Sequence, residues 1–183
     1  MKNKRVTKLS MVLMVIIMGL VSYIGFLKIE IRKLRNNISS LAIGYVLPKL
    51  NLVSLDNSPI DQVNISEGVT ILLIFKSPCS ACNANLSSWK NIARFFRTKV
   101  NILGIVRSGN QDAAKLLEIK DLNFPLFMPI DDETFNKQLH IKSNHAQTII
   151  IHNNKIKLMK TGQLSGADLD TVVTTIKKLI AVA

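Results

Sequence analysis

The chain has 183 residues, enough for one globular domain of ordinary size plus an appendage. Its 24 Lys/Arg against 12 Asp/Glu give a net charge of +12, yet residues 1–44 alone hold eight basic side chains against Glu30. The remaining +5 is scattered over residues 45–183 without a basic stripe or interleaved aromatics, which excludes a nucleic-acid groove and points to anionic lipid headgroups as the partner of the basic end.

Residues 1–8 form a short basic tail with Lys2, Lys4, Arg5 and Lys8. Residues 9–27 (LSMVLMVIIMGLVSYIGFL) are uncharged and long enough to cross a bilayer as a helix. The run exceeds a usual signal-peptide core, and no small-x-small site follows it, so an uncleaved transmembrane signal anchor is expected. Residues 28–44 are expected to form a juxtamembrane stalk. Lys28, Arg32, Lys33 and Arg35 nearly balance the basic tail under the positive-inside rule. A cysteine pair on a membrane stalk suits an oxidising compartment, so the tail is assigned to the cytoplasm and residues 45–183 to the outside.

The globular domain opens near Tyr45. Residues 48–55 alternate like a half-buried strand, residues 56–59 (DNSP) make a turn and residues 60–63 return, an N-terminal β-hairpin. A buried strand follows at 69–76, then a long helix at about 78–97. A strand is expected at 100–106, a helix at 111–119, a short strand at 125–128 and a helix from Asp131 to about Leu139. Residues 148–151 and 155–159 read as strands joined by a two-residue turn at Asn153-Asn154. A last helix begins near Ser165 and carries Leu169, Val172, Val173, Ile176, Leu179 and Ile180 inward. Alternating strands and helices with a terminal hairpin predict an α/β fold: a central mixed β-sheet flanked by helices.

Cys79 and Cys82 are the only cysteines. They follow the apolar run VTILLIF, and Ser77-Pro78 reads as an N-cap with proline at the first helical position. Cys79, Cys82, Leu86, Trp89, Ala93 and Phe96 then recur at helical spacing. The pair thus lies where a buried strand becomes a helix, with Cys79 in the first turn. Unpaired N–H groups and the helix dipole favour a thiolate there, and the thiolate is the reactive form. Lys76 is a nearby cation that lowers a thiol pKa if it faces the pair. Three other readings stay open at this level: two small core residues, a structural zinc completed by His140, His145 or His152, and copper delivery. Trp89 reads as core.

The phrases LPKLNLVSLDNSPI, TILLIFKSPCSAC, NILGIV and TIIIHNNKIKL, in that order, resemble the membrane-anchored thioredoxin-like thiol–disulfide oxidoreductases of the TlpA/ResA type. The stalk and SPCSAC resemble most the MauD-like branch. The resemblance covers about residues 45–183. It implies a thioredoxin-like fold with an N-terminal β-hairpin, a periplasmic or other extracytoplasmic dithiol, and clients such as apocytochromes c or disulfide-rich dehydrogenase subunits. By position it implies Cys79 as the attacking cysteine, Cys82 as the resolving one and a Cys79–Cys82 disulfide in the oxidised form.

Three positions depart from the family. Pro78 stands where a tryptophan usually precedes the first cysteine. Asn85 replaces an acid that many ResA-type members carry and cannot accept a proton. Ala146 replaces the cis-proline that faces the disulfide, and a cis bond before alanine would cost roughly 2.5–4 kcal/mol. A peroxidase reading is weakened by Lys76, which stands where a threonine is expected. The function implied is a membrane-tethered oxidoreductase exchanging disulfides with client proteins and reset by a membrane thiol donor, with no cofactor and no resident metal. The alternative is a non-enzymatic assembly factor or copper chaperone of the same fold.

Overall fold

The structure, a computed structural model, describes residues 14, 16–30, 43–55, 65, 67–75, 79–107, 122–141 and 145–182. The chain divides into two compact units, Met1–Ile38 and Ser39–Ala183. In the first, residue 14 and residues 16–30 are helical with every described side chain exposed. Among the described residues no helix is long and apolar enough to cross a membrane, and most of the predicted span before residue 16 lies outside them.

The second unit is built on a six-stranded mixed sheet of order β1-β4-β3-β2-β5-β6. Its strands are β1 (Leu52–Ser54), β2 (Val69–Phe75), β3 (Asn101–Val106), β4 (Leu126–Pro129), β5 (Gln147–His152) and β6 (Lys155–Thr161). β2, β3 and β4 run parallel, whereas β1–β4, β2–β5 and β5–β6 are antiparallel. β2 is the central strand, and every one of its seven residues is buried, as suits a run that is apolar except for Thr70. Alternate side chains supply two cores. Val69, Ile71, Leu73 and Phe75 meet helices α1 (Ser80–Phe96) and α3 (Gly166–Ile180) through Trp89, Ile92, Ala93, Val172 and Ile176. Leu72 and Ile74 face the other way, toward Phe135 of α2 (Asp132–Gln138) and Leu139 just beyond it.

The opening of the domain differs from the sequence expectation. Only residues 52–54 of the predicted 48–55 strand are β, and their partner is β4. The return strand expected at 60–63 lies outside the described residues, as does the helix expected at 111–119. Pro48, lacking an N–H, is unsuited to a ladder. Residues 44–47 instead lie along β6, where Gly44 N–H donates to Ile156 C=O and Ile156 N–H to Tyr45 C=O. Leu47, Leu50 and Leu52 then join the α2-side core, so the segment crosses that face from one sheet edge to the other.

The β5–β6 turn is as expected. Asn153 and Asn154 have φ of 49° and 61°, the left-handed pair that a two-residue hairpin requires. Asn154 Nδ2 also donates to Leu47 C=O at 2.7 Å, tying the turn to the crossing segment. Gly104 allows close sheet–loop packing: a Cβ there would run into Leu126 Cδ2 and stand 3.0 Å from Phe124 Cε2.

Candidate active site

β2 ends at Phe75 and α1 begins at Ser80, so the chain turns from the buried centre of the sheet into a helix within four residues. Ser77, Pro78 and Lys76 lie outside the described residues. The helix cap is Cys79, not Ser77: its backbone is extended (φ −145°, ψ 100°), and its Sγ accepts from Cys82 N–H at 3.0 Å. The reason is local. An N-cap takes extended backbone and offers a side-chain acceptor to the N–H three residues on, and Cys79 does both. Its carbonyl also accepts from Cys82 N–H (3.1 Å) and Asn83 N–H (3.2 Å). Cys79 therefore sits two positions earlier in the helix than expected from sequence, at the N-cap rather than in the first turn.

Cys79 and Cys82 are joined as a disulfide, with Cα atoms 5.2 Å apart. Their surroundings differ. Cys79 is partly exposed, while Cys82 is 4% exposed and packs in the core with Phe75, Trp89 and Ala146. In the reduced state the Cys82 N–H and the helix dipole would favour a thiolate at Cys79. Apolar burial would favour the neutral thiol at Cys82.

Trp89 forms the floor of this region. It is fully buried, meets Phe75 edge-on with ring centroids 4.8 Å apart, and donates from Nε1 to Thr148 Oγ1 at 2.9 Å. Thr148 belongs to β5, so this bond fastens the helix carrying the cysteines to the strand that follows Ala146. Ala146 is fully buried in the same cluster as Cys82, and its C=O accepts from Gly162 N–H at 2.7 Å. The structure thus brings Cys79, Cys82, Trp89 and Ala146 together.

The histidines are elsewhere. His140 is exposed beyond α2 and meets Tyr45 edge-on at 4.4 Å, His145 is exposed, and His152 ends β5. Among the described residues no three His, Cys, Asp or Glu side chains form a metal-holding group.

No protein-family model and no curated protein matches the sequence. Solved structures do match. A candidate thiol:disulfide interchange protein DsbE from Chlorobium tepidum aligns with a TM-score of 0.63 at 17% identity, covering 75% of this chain and 97% of that one. The thioredoxin domain of a Bacteroides vulgatus thiol-disulfide oxidoreductase gives 0.60 at 16% identity, over 74% and 98%. A secreted Mycobacterium tuberculosis disulfide oxidoreductase homologous to E. coli DsbE gives 0.57 at 15%, over 72% and 96%. The fold is thioredoxin-like.

Within this thioredoxin-like frame the inner face of α1 is rotated from the predicted stripe. Cys82, Asn85, Trp89, Ile92 and Ala93 are buried, and Leu86 and Phe96 are only half-buried. By residue type alone Asn85 stands only as a missing acid. Its helical phase was the overlooked signal: position 85 lies between Cys82 and Trp89 on one face, so its amide had to be buried and partnered. The partners are main-chain groups of residues 162 and 164, at 2.9 Å each.

Proposed function

We propose that this protein is a membrane-tethered thiol–disulfide oxidoreductase of the TlpA/ResA type, with Cys79 as nucleophile and Cys82 as resolving cysteine. The observation that carries the reading is the asymmetric disulfide: one sulfur partly exposed at a helix N-cap, the other buried one turn inside. A purely structural bridge has no need of that asymmetry, whereas an exchange site needs one accessible sulfur and one protected sulfur.

In the reduced protein the Cys79 thiolate attacks one sulfur of a client disulfide. A Cys79–client bond forms, the client S–S bond breaks, and the departing client thiolate takes a proton from water. Cys82, giving its proton to solvent, then attacks Cys79 Sγ. The Cys79–Cys82 bond closes and the second client thiolate leaves and is protonated. Two electrons have passed to the client, and a membrane dithiol of lower potential resets the protein. Ala146 in place of proline narrows the client range.

The tether reading assigns residues 1–8 to a cytoplasmic tail, 9–27 to the anchor, 28–44 to the stalk and 45–183 to an extracytoplasmic, periplasmic domain. It is supported by the uncharged run 9–27 and by the exposed Ile16, Leu20, Ile24 and Phe26, because an apolar helix exposed all round belongs in lipid rather than water. The secreted Mycobacterium tuberculosis neighbour fits the same compartment. Clients are disulfide-bearing proteins, with cytochrome c maturation the family precedent.

The test is trapping. Full-length Cys82→Ser should accumulate mixed disulfides through Cys79 in its native membrane, and Cys79→Ser should accumulate few. Equal trapping by the two variants would refute the assignment of roles.

A further inference from the structure

Asn85 lies one helical turn beyond Cys82 on the same face of α1 and is 1% exposed. A buried primary amide must satisfy both a donor and an acceptor. Here Nδ2 donates to Gly162 C=O and Oδ1 accepts from Leu164 N–H, each at 2.9 Å. The chemistry of those two partners fixes which end of the amide is nitrogen.

Gly162 passes the contact on. With φ of +92°, a value glycine adopts without steric cost, it donates its own N–H to Ala146 C=O at 2.7 Å. A hydrogen-bonded relay therefore runs Asn85–Gly162–Ala146, from the helix bearing the cysteines to the residue before β5. Its far end returns to the disulfide: Ala146 and Cys82 share one buried cluster, with Cys79 and Leu164 packed against it.

Apolar packing alone is non-directional and would let this wall slide. We propose that Asn85 is a positioning residue: through Gly162 it holds the Ala146 backbone and the Leu164 turn as a fixed wall beside Cys79–Cys82, against which a client chain is registered. The inference rests on the exchange function proposed for that disulfide.

The donor–acceptor pairing makes the idea specific. Asn85→Ala removes both groups. Asn85→Asp, when ionised, presents two acceptors and points one of them at Gly162 C=O. When protonated, the same carboxyl offers one O–H donor and one acceptor and can replace the amide. Burial raises the pKa of an introduced carboxyl in the folded state. The variant should therefore be wild-type-like below the unfolded-state pKa and lose its clamp as pH rises through the folded-state value.

Two readouts on the full-length protein in detergent test this. The first is amide hydrogen exchange at Gly162, whose acceptor, Ala146 C=O, neither substitution touches. Relative to β5 amides, Asn85→Ala should speed Gly162 exchange by about ten-fold or more at any pH. Asn85→Asp should do so at about pH 8 and return toward wild type at about pH 4.5. Gly162 exchange that merely tracks the β5 amides, or an Asn85→Asp variant indifferent to pH, would overturn the clamp.

The second readout is reduction of insulin disulfides with a small dithiol supplied as terminal reductant, which resets Cys79–Cys82 after each turnover. KM should rise about ten-fold in Asn85→Ala, which loses both buried hydrogen bonds, with a smaller change in kcat. Measurable wild-type turnover with an unchanged KM in Asn85→Ala would overturn the positioning role alone. A wild type that never exchanges with any disulfide would instead overturn the function beneath it.

Discussion

Cys79 and Cys82 are three residues apart, yet one caps a helix in partial contact with solvent and the other is packed beneath it. That difference translates into chemistry. In the reduced protein, alkylation at neutral pH should be faster at Cys79 by about ten-fold or more, because thiolate fraction and access both favour it; faster modification of Cys82, read by peptide mass spectrometry, would reverse the roles. The pair itself was legible because a Cys-x-x-Cys after a strand has few other uses. The cap was not, since Ser77 is the stronger capping residue by type and only backbone geometry shows that Cys79 takes the position. Ala146, singled out by the resemblance, is fully buried in the cluster that holds Cys82. Insulin turnover should be slow in the wild type and faster in Ala146→Pro, at a stability cost of about 1–3 kcal/mol for adding atoms to a filled site. Brisk wild-type turnover, unchanged by the proline, would remove Ala146 from the account of specificity.

At the scale of elements, the last helix shows how local signals set a boundary. Ser165 and Asp168 form a capping box, with Asp168 N–H donating to Ser165 Oγ and Ser165 N–H donating to Asp168 Oδ2. Burial alone would raise the Asp168 pKa. Hydrogen bonds from Lys160 and from the Ser165 side chain and backbone outweigh it, and the carboxyl is held below the ordinary 3.8. A depressed folded-state pKa gives stability that is present above the unfolded value and lost as pH falls through the folded one. Asp168→Asn should accordingly cost about 0.5–1 kcal/mol near neutrality and almost nothing near pH 2. Urea unfolding of both proteins at the two pH values measures this; an equal cost at both would show that charge is not involved. Gly104→Ala should destabilise by about 1–3 kcal/mol, because the new Cβ meets Leu126 and Phe124. A midpoint unchanged in the same titration would mean that the loop yields freely. The Asn153-Asn154 turn and the buried β2 were readable from composition and run length. The pairing of β1 was not, because its partner β4 lies more than seventy residues away and no local pattern encodes it.

Across the whole molecule, the succession of strands and helices was enough to expect a mixed sheet, and the resemblance carried it to a thioredoxin-like fold. The crossing of residues 44–52 from one sheet edge to the other had no sequence signal, because Leu47, Leu50 and Leu52 look like an ordinary alternating strand. The anchor is a claim of the same scale: a reporter active only outside the cytoplasm, fused after Ala183, should be active, and silence at normal expression would reverse the orientation. The redox claim stands above the rest and has a direct test. Full-length protein in detergent is equilibrated across thiol/disulfide buffers of stepped potential, and the oxidised fraction of Cys79–Cys82 is read by alkylation and mass. An exchange catalyst should show one reversible two-electron transition, about 30 mV per decade, at a potential above roughly −300 mV, the region of labile rather than structural disulfides. A bond that stays closed well below that potential, or thiols that never close, would contradict it.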